Sequence, residues 1–254
     1  MVRFIDVLSA EILKTKRTWN FSLVLMFPII VTSIIFGYYV KNLLGGDNIG
    51  QSNLWMTYCR EFFQFYYLLY PLLAALIAFS LSNIEHRNNG FKQVFTFPVN
   101  RYSIYFGKIC ILLFWMLCSL LLAYSLLIIS GNGLGYLFPQ AGFQNYDINN
   151  IIITFFLRIF ITLASIISIH YFLSIYWDNF IISVGSACFL VIFGLVVSRW
   201  EYSYLIPYCN LVKAFTHFFQ SGTEVFSKEI LWSIGYSVVF FFSGYLIMIK
   251  KSIK

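Results

Sequence analysis

The sequence predicts an all-α integral membrane protein with six membrane-spanning helices, and three observations carry that expectation. Of the 254 residues, 60% are apolar and only 11% are charged, where a soluble domain carries about 25% charged residues. The apolar residues fall in blocks of about 20, the length that crosses a hydrocarbon core about 30 Å thick. The blocks do not alternate in polarity as the strands of a membrane barrel do. Every backbone polar group in lipid needs an internal partner, so such blocks are helical. Almost nothing is left over for a soluble domain. Residues 1–254 read as one membrane domain, and any catalytic domain or energy source is expected on another chain.

Residues 1–20 predict an interface helix rather than a cleaved leader. Asp6 and Glu11 interrupt the basic region, and the first apolar block begins only at Phe21. At about 100° per residue, Met1, Phe4, Ile5, Leu8 and Ile12 share one sector, with Arg3, Asp6, Lys14 and Arg17 opposite. A helix of this kind lies in the headgroup plane of a membrane. The six spans then follow as Phe21–Tyr39, Phe65–Ser82, Ile109–Ile129, Ile151–Tyr171, Phe180–Ser198 and Ile230–Ile249. With both termini on one side, that side holds 11 of the 17 basic residues and the other holds 5, with Arg158 inside a span. The positive-inside bias therefore puts both termini in the cytoplasm. The net charge of +7 reads as topology signal and attraction to anionic lipid, not as a nucleic-acid footprint.

Two outer loops, 40–64 and 130–150, contain the turn formers Gly45-Gly46-Asp47-Asn48 and Gly131-Asn132-Gly133. The third, 199–229, is rich in aromatic and aliphatic residues and punctuated by Pro207 and Gly222. It is too short and too polar inside for two further spans, and predicts short re-entrant helices that dip into the outer leaflet and return.

Patterns for chemistry on this chain are missing. Gly107-Lys108 is followed by Ile109 where a phosphate-binding loop needs Ser or Thr, and Tyr102 stands where that loop needs its first glycine. His86, His170 and His217 lie far apart without a second ligand at helical spacing. No serine sits in a nucleophile elbow. All ten Asp and Glu fall outside the spans as drawn, which speaks against a carrier driven by an ion gradient. Arg158 lies seven residues into the fourth span, about 10 Å below the outer surface. Two readings of it stay open: pairing with an outer acid such as Glu61 or Glu201 (or snorkelling), and service as a gate or substrate contact. Of the five cysteines, Cys110, Cys118 and Cys188 sit in apolar blocks, whereas Cys59 and Cys209 fall in loops, where a bridge is left open.

The strongest pattern is the cytoplasmic loop 84–101. Gly90 and Pro98 bracket a short segment in which Phe91, Val94 and Phe95 follow the i, i+3, i+4 spacing of a helical face. A helix of one or two turns projecting from a membrane can lie on the bilayer, pack under its own bundle, or insert into a groove on a partner. At Glu85, Gly90, Pro98-Val99-Asn100-Arg101 and Lys108, this loop resembles that of type-2 ABC transporter (ABC-2) permeases. Asn100 stands where Ser or Thr is more usual. The stretch Ala10-Glu11-Ile12-Leu13-Lys14-Thr15-Lys16-Arg17 is similar to that family's opening helix, and in compactness the chain resembles permeases that confer immunity to lantibiotics and related peptide antibiotics.

The resemblance implies a non-catalytic subunit without a cofactor of its own, with ATP and magnesium on a cytoplasmic P-loop ATPase partner, and a second permease chain, identical or related, alongside. It implies that Glu85, Arg87, Gly90, Phe91, Val94, Phe95, Pro98 and Arg101 form the element that docks on the ATPase, and that Phe4, Leu8, Glu11, Lys14 and Arg17 belong to the interface helix beside it. The expected location is a bacterial cell membrane, since the wealth of Ile, Phe, Tyr, Asn and Lys suggests an AT-rich genome. Competing classes are a stand-alone carrier or channel, a membrane-embedded enzyme, and a permease-like sensor. The first needs intramembrane carboxylates or polar pore rows. The second needs a nucleophile or metal constellation. The third would show stimulated ATPase activity without cargo movement.

Overall fold

The computed structural model describes residues 4–16, 19–45, 54–86, 100–141, 143, 149–177, 179–221 and 227–250. Among them run eight α-helices: α1 (Phe4–Lys16), α2 (Trp19–Leu44), α3 (Leu54–His86), α4 (Arg101–Leu137), α5 (Asn149–Tyr176), α6 (Phe180–Val197), α7 (Pro207–Ser221) and α8 (Lys228–Lys250). Six of these, α2 to α6 and α8, are long and apolar enough to cross a membrane. The protein is therefore an all-α, multi-pass membrane protein. Successive spans alternate in direction, so the end of α3, the starts of α2 and α4, and the end of α8 share one end of the bundle with α1. We call it the termini end and the opposite one the far end.

The core is built around α3 and α5, 61% buried over their apolar windows, whereas α2 and α8 are 33% and 17% buried. α5 packs on α3, α7 and α8; α2 packs on α4; and α6 packs on α3. Along α3, Tyr58, Phe62, Tyr66 and Tyr70 recur every four residues and form one stripe. Phe62 stacks on Tyr66 with centroids 4.4 Å apart, and Tyr66 on Tyr70 at 4.9 Å. The hydroxyls that such rings bring into a core need partners. Tyr58 bonds the Ser130 hydroxyl at 2.6 Å and Tyr70 that of Ser119 at 3.1 Å, which joins α3 to α4. On α5, Thr162, Ser165 and Ser168 turn their hydroxyls back to carbonyls of their own helix. These small side chains are fully buried and let neighbouring backbones approach closely without leaving a polar group unpaired.

Several boundaries differ from the expectation. α3 starts at Leu54 and not at Phe65, so most of the loop expected over 40–64 is helix. Arg60, Glu61 and Gln64 interrupt the apolar run there but not the helix, which outruns the hydrocarbon core. α4 continues to Leu137, so Gly131-Asn132-Gly133 is helical rather than a turn. Gly131 serves packing instead: a Cβ there would overlap the Trp55 ring of α3. Cys59 lies in α3 and Cys209 in α7, not in loops, and both are buried free thiols.

The segment 199–229 contains a 3-10 turn, Ser203–Leu205, and the 15-residue α7. α7 begins with Pro207, which fits the first position of a helix because no donor is lost there. It packs on α5, α6 and α8 and buries polar side chains as well as apolar ones. Tyr208 meets the His170 ring, Cys209 donates to the Gly194 carbonyl at 3.3 Å, and the Asn210 amide donates to the Ser233 hydroxyl at 3.2 Å. Gly194 allows the close approach of α6, since a Cβ there would stand 3.0 Å from Cβ of Tyr208.

Candidate functional site

α1 meets the bundle with the face that a simple amphipathic reading leaves for water. Val7, Glu11 and Thr15 are buried at i, i+4, i+8, while Phe4, Ile5, Ile12 and Leu13 are exposed, Ile5 at 71%. The apolar sector is thus free to meet lipid. Leu8 is half-buried and lies with Val7 against Gly107 of α4. Lys14, expected on a solvated face, is half-buried and ion-paired with Glu11. Arg17 lies outside the described residues.

Glu11 is the centre of this contact and is 3% exposed. Besides Lys14, its carboxylate pairs with the Lys108 ammonium of α4 at 3.2 Å. The same ammonium donates to the Leu81 carbonyl of α3 at 3.2 Å. One buried cation therefore joins three helices. Burial pushes the Glu11 carboxyl toward its neutral form, but the charges of Lys108 and Lys14 outweigh it and hold its pKa below the ordinary carboxylate value. Each carboxylate oxygen faces a cation, Oε1 that of Lys14 and Oε2 that of Lys108, and paired charge is what a buried setting tolerates.

The cluster brackets residues 87–99, which lie outside the described residues. Leu81 sits in the last turns of α3 before the loop, and Lys108 in the second turn of α4 after it. Asn100 opens α4 in an extended conformation, with its carbonyl accepting from the Ser103 amide at 2.9 Å. Arg101, the first residue of α4, donates through Nη1 to the Ile249 carbonyl near the end of α8, at 2.8 Å. Further along α4, Tyr105 donates to the Phe241 carbonyl at 2.6 Å, and Gly244 leaves room for that hydroxyl.

Of the residues expected in the docking element, the structure places Arg101 beside α8 and Glu85 in the last turn of α3. Arg87, Gly90, Phe91, Val94, Phe95 and Pro98 lie outside the described residues. Of those expected in the interface helix, Glu11 and Lys14 meet and Phe4 stands apart at the lipid-facing sector. Lys108 is the site residue that charge patterning alone missed: a lysine just before an apolar block reads as a topology signal. Beside the resemblance that includes it, what distinguishes it is Gly107, whose small size leaves room for α1.

Arg158 is fully buried, and its partner is neither Glu61 nor Glu201. Nη2 donates to Oε1 of Glu229 at 3.3 Å and to the Ser227 hydroxyl at 3.1 Å. α8 begins at Lys228, two residues before the apolar block, so the acid falls within the first turn of the helix. Glu229 and Glu61 both lie in spanning helices, which corrects the expectation that no carboxylate does. Among the described residues no group of three or more His, Cys, Asp or Glu could hold a metal ion.

Residues 7–194 match the model of the family described as ABC-2 family transporter protein, which is more than half of the chain. Comparison with curated proteins and with solved structures returns no match.

Proposed function

Because the chain belongs to the ABC-2 family of transporter proteins, we propose that it is the membrane half of an ATP-driven exporter of hydrophobic or amphiphilic cargo, peptide antibiotics such as lantibiotics included. It is a permease component, and permeases of this family carry no catalytic machinery of their own. In this reading the termini end faces the bacterial cytoplasm, as the basic-residue bias requires. Residues 199–229 dip into the outer leaflet. A P-loop ATPase binds the loop 84–101, and a second permease chain completes the path.

The observation that carries this reading is the Glu11–Lys108–Leu81 cluster. It ties α1 to the helices on both sides of the loop. A displacement of the loop by an ATPase would then be shared by α1, α3 and α4 as one body. It would reach α8 through Arg101 and Tyr105. Buried ion pairs favour such discrete positions, because a half-open pair leaves charge unpaired in a medium of low dielectric.

Two measurements test it. A tagged chain extracted from its native host in mild detergent should carry a stoichiometric partner with a P-loop ATPase sequence. A chain that purifies alone and active would sink the proposal. Second, Phe95→Asp should abolish ATPase binding or uncouple hydrolysis from transport while the protein stays in the membrane, since one charge in an apolar groove costs several kcal/mol. Full transport together with full ATPase binding in that variant would remove the docking site.

A further inference from the structure

A cleft of about 450 Å³ opens on the side of the bundle between α2 and α3, a volume within the range of small-molecule sites. Its lining is graded along the membrane normal. Tyr38, Glu61 and Gln64 line one end, and Ile34, Phe65 and Leu68 the other. α2 runs toward the far end and α3 runs back from it, so the polar group lies nearer the far end and the apolar floor deeper in the span. Seven residues of helix separate Glu61 from Leu68, about 10 Å.

Glu61 is the charged group of this lining. It lies inside a spanning helix and is half-buried, where a carboxylate is expensive to keep and marks a site by default. Among the described residues no basic side chain is ion-paired with it, whereas the other two buried acids, Glu11 and Glu229, each have a cation. Tyr39 approaches it and is a neutral neighbour.

We propose that this cleft binds an amphiphile with an ammonium head, the head on Glu61 and Gln64 and the apolar chain along Phe65 and Leu68. The charge is what discriminates. A lipid tail gains little by exchanging lipid for an apolar groove, because the two are equally apolar. An ammonium that meets a carboxylate in this setting gains a charge-assisted contact, the stronger kind of hydrogen bond. The orientation suits an amphiphile seated in the leaflet at the far end. The cleft narrows the cargo of the proposed exporter to ammonium-bearing molecules, and to that extent it rests on the transport reading.

The test is binding of radiolabelled dodecylammonium to the purified full-length chain in maltoside detergent, against dodecyl sulfate and dodecanol. Saturable binding of the ammonium alone is expected on the natural chain. Glu61→Gln should weaken it by about tenfold or more, the loss of one charge-assisted contact. Leu68→Trp, which fills the floor and leaves the carboxylate, should weaken it as well. Equal binding of dodecyl sulfate on the natural chain would overturn the proposal without any variant. Undiminished ammonium binding by a Glu61→Gln chain that is monodisperse would overturn it too. ATP-driven movement of dodecylammonium into inverted vesicles is read separately: binding without movement keeps the cleft and removes its role in cargo selection.

Discussion

At the termini end, Glu11 is shared by two lysines and Lys108 reaches three helices. At the far end, Arg158 pairs with Glu229 and ties α5 to α8. Both clusters bury charge, but their surroundings differ. Arg158 is wholly enclosed, and its Nη2 donates to both Glu229 and Ser227 where α5 packs on α8. Lys14 remains 38% exposed, so the termini-end cluster keeps contact with water and headgroups. Its helix α1 turns an apolar sector away from the bundle. An enclosed, planar guanidinium suits a fixed joint, and an ammonium with rotatable donors suits one that shifts. The contrast teaches that the same chemistry serves as glue in the core and as a linkage beside the loop.

The largest way to break the comparison is Arg158→Met. It leaves Glu229 buried without its cation, a change that costs about 3–5 kcal/mol. The expected outcome is a large fall in the thermal unfolding midpoint in detergent. Adding Glu229→Gln should restore much of it, since the Glu229 carboxylate is then no longer stranded; no recovery would mean that the pair is not what holds α5 to α8. Lys108→Met should have a smaller effect on unfolding, because Lys14 still neutralises Glu11. It should instead lower ATP-driven transport at unchanged expression. Equal losses of stability in the two lysine and arginine variants would erase the distinction between linkage and glue.

The smallest effect is that of pH. The Glu11 pKa is lowered on folding, chiefly against burial and by Lys108 and Lys14. The folded form therefore binds this proton less readily than the unfolded one. The stabilisation is fully present above the ordinary carboxyl value of about 4.3. It is lost as pH falls through that value toward the lowered one. Glu11→Gln should flatten this acid limb of the unfolding midpoint in detergent, and an unchanged limb would place the titration elsewhere.

Much of this was legible in the chain. The six blocks gave six spans because lipid forbids unpaired backbone and fixes length. Glu11 and Lys14 were legible as residues of one N-terminal helix. Their mutual contact was not, because an amphipathic projection separates faces by polarity. Here the buried face holds Glu11 and Thr15, stabilised by a cation 97 positions later in the chain.

What the sequence by itself determined was the class: an all-α multi-pass membrane protein with six spans. Local rules suffice for that, since hydrophobic length and backbone hydrogen bonding act within each segment. What only the tertiary structure decided was partnership. Arg158 took Glu229 over Glu61, Gly131 became a seat for Trp55, and Lys108 became a joint between three helices. Those outcomes depend on which helix faces lie together. Charge in a low-dielectric interior chooses the partner that packing brings within hydrogen-bond reach, and nothing local to either residue encodes that.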